Sequence, residues 1–121
     1  MFKNFIAIAL GGALGACLRY AAVLLSQTID FSGTITIFLV NMIGSFVLGI
    51  ITGTCSSGTF QLFLSMGLCG AFTTFSTYSV RSVTLIQEGK IGEAFLYIVG
   101  SVIICVLFAW IGIILGSKLM K

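Results

Sequence analysis

Gly67–Ser79, GLCGAFTTFSTYS, lies inside the long apolar run Phe60–Gln87. Thr73, Thr74, Ser76, Thr77, Tyr78 and Ser79 all carry hydroxyls, and within Thr73–Ser79 only Phe75 does not. As one straight helix the 28 residues from Phe60 to Gln87 extend about 42 Å at ~1.5 Å per residue, where a bilayer core asks for roughly 30 Å. Two readings are open. In one, the helix breaks near its middle and the freed backbone groups meet hydroxyls, an ion or water rather than lipid. In the other, an intact helix tilts and its Ser and Thr bond back to carbonyls one turn earlier. Gly67, Gly70 and Ala71, just ahead of the hydroxyls, offer little side-chain bulk to oppose unwinding.

Taken whole, the 121 residues are 59% hydrophobic and 7% charged, with no Pro or His and a mean hydropathy of +1.22. A soluble fold of this size has too little interior for so much apolar surface. The expectation is an all-α integral membrane protein, one domain over residues 1–121, with four spans near 4–25, 34–53, 60–87 and 92–117 and a break in the third around 70–76.

Net charge is +3, too sparse for a nucleic-acid footprint. Four crossings put Lys3, Lys118 and Lys121 on one side of the bilayer. Lys90 falls on the other, joined by Arg19 and Arg81 where these reach the surface. Three against three gives no Lys/Arg bias, so insertion in either orientation is permitted. With both arginines held inside the membrane the count becomes three against one.

Segment one carries Ala7, Gly11 and Gly15 at four-residue spacing, and segment four carries Gly112 and Gly116. Such stripes let another helix backbone approach closely. Arg19 has two readings: snorkelling to the interface, or an electropositive vestibule for an anion. Asn41, near the middle of segment two, shares a face with Ser45 and Gly49. Its amide serves either as interhelical glue or as a pair of donors to a permeating species. Phe75 and Tyr78, at i and i+3, share a face wherever helix resumes, for packing or for a pathway. Tyr97, Ser101 and Cys105 form a stripe on segment four, with an interfacial anchor and a back-bonded hydroxyl as the plain account.

Cys17, Cys55, Cys69 and Cys105 show no CxxC pairing and have no His to complete a zinc site, so each reads as a small apolar filler. Leu14–Cys17 has the form of a lipoprotein cleavage site, but Arg19 and further spans follow it.

Asp30, Glu88 and Glu93 all fall in connections or at the very edge of a span, and no span interior holds an acidic residue or His. A proton-coupled pump normally needs such a relay. With no nucleophile–base pair and no metal ligand set, an enzyme is not expected. The spans instead hold donors (Asn41, Ser101, Tyr97, Tyr78), an aromatic ring edge (Phe75) and one candidate cation (Arg19). Ring edges carry the positive part of the aromatic quadrupole. Such a lining suits a small dehydrated anion. One chain of this length has little interior for both a core and a pore, and the small-residue stripes then argue for an oligomer.

GGALGACLRY at 11–20, VNMIGSFVLG at 40–49 and GLCGAFTTFSTYS at 67–79 together resemble the CrcB/Fluc family of fluoride ion channels, over three of the four segments. The resemblance implies a multi-pass protein of the cell inner membrane. It also implies an antiparallel, dual-topology homodimer in the lipid bilayer with two pores, and passive export of F⁻ that entered as HF, protecting the cell. Residue by residue, Asn41 resembles the pore-lining amide and Phe75 the first ring of an aromatic pair. Tyr78 stands where the second is most often Phe. Ser101 resembles a hydroxyl of the polar track, with Tyr97 beside it, and Cys105 departs from that track with a weaker donor. Arg19 resembles the vestibule arginine. Gly70 and Thr73 match positions whose main-chain carbonyls hold a structural Na⁺ at the dimer interface. Two other readings stand beside this one: a small four-helix dual-topology multidrug transporter, which wants a carboxylate in its first helix, and a membrane scaffold that transports nothing.

Overall fold

The computed structural model of the chain describes residues 1–54 and 57–121; Cys55 lies outside them. Among the described residues the secondary structure is all helix, arranged as three long helices and a fourth, interrupted crossing. α1 (Phe2–Thr28), α2 (Gly33–Gly53) and α6 (Ile91–Leu119) are each continuous, apolar and long enough to span a bilayer. The third crossing is assembled from pieces: α3 (Thr59–Leu62), a π-helical stretch Phe63–Cys69, α4 (Gly70–Phe72) and α5 (Phe75–Gln87). Between α4 and α5 the chain is extended, with ψ 157° at Thr73 and φ −150° at Thr74. The break therefore falls inside the hydroxyl cluster.

Local chemistry explains these boundaries. Asp30 takes a left-handed conformation (φ 54°), turning the chain from α1 toward α2. Gly58 and Gly89 have φ of 113° and 77°, a region that glycine enters without strain. At the break, Thr74 caps α5, its Oγ1 accepting from the Thr77 N–H at 3.2 Å.

Glycine sets the packing. Side chains added at Gly11 and Gly15 of α1 would strike backbone of the π-helical stretch, around Phe63, Gly67 and Leu68. Along a second seam, Gly49 and Gly53 of α2 meet Ala109 and Ile113 of α6, while Gly112 and Gly116 face Phe46 and Ile50 in return. In hydrocarbon there is little hydrophobic gain from helix association, so backbone-to-backbone approach supplies the attraction. This corrects one inference from the sequence. These glycines are used within the protomer, so they do not themselves argue for an oligomer.

The buried apolar cluster is small: Tyr78 and Leu85 of α5 with Ala94 and Tyr97 of α6, flanked by Ile37, Phe38 and Ile98. Much of the remaining apolar surface faces outward, as expected where the solvent is lipid.

Candidate functional site

The broken segment is held by its neighbour. Asn41 Nδ2 donates to the Thr74 carbonyl at 3.1 Å, and Asn41 Oδ1 accepts from the Thr74 N–H at 2.8 Å. One amide on α2 thus satisfies both backbone groups of a residue released from helical bonding at membrane depth. Gly44, one turn along, gives Thr73 room: a Cβ there would overlap the Thr73 methyl. The sequence reading offered both Asn41 donors to a permeating species. One of them is engaged by protein, and the second N–H remains.

Beside this link lies an open groove of about 240 Å³, lined by Asn41, Ser45, Thr74, Phe75, Tyr78, Ser101 and Cys105 among others. Four of the expected pathway residues therefore come together, drawn from α2, α5 and α6. Phe75 is 77% exposed in the protomer. Its ring centroid lies 5.4 Å from that of Tyr78, and Tyr78 lies 5.2 Å from Tyr97, so the three rings form a continuous run. The Tyr78 hydroxyl donates to the Ile98 carbonyl at 2.8 Å. It is thereby occupied, and Tyr78 offers the groove its ring.

Tyr97 is set behind Tyr78 rather than on the groove wall. Its hydroxyl and that of Ser101 are buried, at 7% and 5% exposure, without a hydrogen-bond partner in the protomer. A buried hydroxyl left unpaired costs roughly 1–3 kcal/mol, and these two lie one helical turn apart on α6. The back-bonded account of Ser101 therefore does not apply. Ser65, Ser79 and Ser82 do bond to carbonyls four residues earlier.

Arg19 is elsewhere. With Tyr20, Thr36, Val40, Thr74 and Thr77 it lines a second cavity of about 250 Å³. Thr74 borders both spaces, so the Asn41–Thr74 link stands between them.

The expected Na⁺ ligands can be tested against the backbone. In an unbroken helix the Gly70 carbonyl would accept from the Thr74 N–H and the Thr73 carbonyl from the Thr77 N–H. Those two donors are diverted, to Asn41 Oδ1 and to Thr74 Oγ1 respectively. Both carbonyls thus lose their helical partners, and unwound carbonyls of this kind suit a hard monovalent cation. The residues present fit the ion.

Sequence reasoning missed Thr74 as the point where α2 holds the break. The signal was available in the Thr-x-x-Thr cap pattern at 74–77, which marks a helix start.

Comparison with known proteins fits this geometry. The family described as "CrcB-like protein, Camphor Resistance (CrcB)" matches residues 6–113. The chain belongs to the CrcB family. Among curated members, a protein named fluoride-specific ion channel FluC from Idiomarina loihiensis is 41% identical over 126 residues, covering 100% of this chain and 98% of its own. FluC 2 of Bacillus subtilis is 41% identical over 121 residues, with 97% and 90% covered. A FluC of Thermus thermophilus is 36% identical over 124 residues, with 98% of each chain covered. With three helices long and apolar enough to cross a bilayer among the described residues, this CrcB chain is a multi-pass membrane protein. The drug-transporter reading is not favoured: α1 holds no acidic residue.

Proposed function

We propose that this chain is a fluoride-selective channel that lets F⁻ leave the cytoplasm passively and so protects the cell. The observation that carries the reading is the pair of buried, unpartnered hydroxyls of Tyr97 and Ser101. Ser101 lines a groove that also holds Asn41, Phe75 and Tyr78 and no carboxylate. Fluoride sheds tightly held water only where donors replace it, and these hydroxyls are donors with nothing else to bind. The FluC names of the relatives point the same way. Membrane potential supplies the drive, about 2.3 kcal/mol per charge per 100 mV.

The working unit in this proposal is an antiparallel homodimer. The groove is open and Phe75 stands out of the protomer, so a second copy is what closes the pathway. Gly70 and Thr73 offer their released carbonyls to a structural Na⁺ where the two copies meet. Arg19 makes its cavity an electropositive vestibule. These assignments rest on the groove geometry and the family likeness together.

Purified protein in liposomes loaded with potassium fluoride provides the test. Electrogenic F⁻ efflux with negligible Cl⁻ efflux is expected once valinomycin clamps the potential. Vesicles that hold their fluoride, at a protein density sufficient for one dimer each, would end the proposal.

A further inference from the structure

Arg81 lies on α5 three residues beyond Tyr78 and so on the same side of that helix. It is half-buried, and its Nε donates to Thr34 Oγ1 at the start of α2. Among the described residues no carboxylate pairs with it; the ion pair found there joins Lys90 to Glu88. Tyr78, one turn back from Arg81 on α5, sets its ring centroid 5.2 Å from that of Tyr97 across the α5–α6 interface, and the buried Tyr97 hydroxyl has no partner. One turn deeper on α6 comes Ser101, the other unpartnered hydroxyl, on the groove wall. A cation, a free phenol and a free alcohol thus follow one another from the α5–α6 connection toward mid-membrane.

A half-buried guanidinium without a counter-charge is costly in this setting. Arg81 does not itself line the groove, but it lies one helical turn beyond Tyr78, which does, and a positive charge there raises the local concentration of anions. Arg19 lies toward the same end of the bundle but lines a different cavity from the groove that holds Ser101.

We propose that Arg81 is an anion-capture residue: it draws F⁻ in from the α5–α6 side and delivers it to the Tyr97 and Ser101 hydroxyls. The proposal rests on the fluoride reading above. The competing role is a structural tie, with Arg81 merely fastening α5 to α2 through Thr34.

Fluoride efflux from proteoliposomes, measured over a range of fluoride concentrations, separates the two. For Arg81→Gln at low ionic strength the half-saturating fluoride concentration is expected to rise about 5- to 10-fold, with the saturating rate held within about 2-fold. Arg81→Lys should restore half-saturation to within about 2-fold of the parent. Adding an impermeant salt should weaken apparent affinity in the parent and leave Arg81→Gln nearly unchanged. A parent whose half-saturation ignores salt overturns the proposal without any variant. So does an Arg81→Gln protein slowed by one factor at every concentration and not rescued by Lys, which is the signature of a tie. If the parent transports and Ser101→Ala is impaired while Arg81→Gln keeps the parental concentration dependence, Arg81 falls and the groove stands. A parent silent toward fluoride sinks the reading beneath both.

Discussion

Replacing Asn41 uncovers two backbone groups at once, the N–H and carbonyl of Thr74, each costing about 1–3 kcal/mol when left unpaired away from water. Asn41→Leu is therefore expected to lower stability by about 2–4 kcal/mol, measurable by SDS titration. Asn41→Asp keeps an acceptor for the Thr74 N–H but turns an anionic oxygen on the Thr74 carbonyl and on any passing halide, so fluoride flux should fall at least about tenfold. Ser101→Ala should separate transport from folding. It removes a buried hydroxyl that bonds to nothing in the protomer, so stability should hold or rise, by up to about 1–3 kcal/mol, while efflux drops. Tyr78→Phe is the reverse case. It gives up the bond to Ile98, worth about 0.5–1.5 kcal/mol, and keeps the ring, so melting temperature should fall slightly and flux persist. Asn41 was legible as a mid-span amide because its residue type is so costly there. Its partner was not, since which backbone group lies opposite depends on where two extended residues fall in the neighbouring crossing.

The third crossing shows what helix-level patterns can and cannot carry. Too many residues, small residues and then hydroxyls left a broken and a tilted helix both open, and Thr73 and Thr74 are where the backbone leaves the helix. The π-helical turns Phe63–Cys69, which lie against Gly11 and Gly15 of α1, left no mark in composition. Glycine stripes were equally visible, but a stripe names a close approach without naming the partner. Their placement between α2 and α6 makes a paired prediction. A methyl added at Gly49 runs into the Ala109 carbonyl, whereas at Gly100 it meets nothing within 4 Å. Gly49→Ala should cost about 1–3 kcal/mol by overpacking. Gly100→Ala should be neutral or stabilising by up to about 1 kcal/mol through helix propensity, both read by the same SDS titration.

For the whole molecule, the antiparallel dimer proposed above, with three cations on each side where Arg19 and Arg81 reach the surface, predicts that reporter fusions at the C-terminus will be found on both faces of the membrane. Adding two or three lysines next to Lys3 should fix one orientation, leave each protomer folded and abolish fluoride flux, because antiparallel pairs can no longer form. Co-expression with a chain biased the other way should restore it. Crossing number came straight from the residues; the sideways opening of the groove did not, since it emerges only when α2, α5 and α6 are set against one another. Its lining of Asn, Gly, Ser, Thr, Leu, Val, Phe, Tyr and Cys has a physiological corollary. None of these side chains ordinarily changes charge between about pH 5 and 7, so conductance per fluoride ion should be flat over that range. Acidic surroundings flood the cell by converting the halide outside to its permeant acid, and the exit is indifferent to that acidity. The harsher the environment, the more the imbalance itself does the pumping.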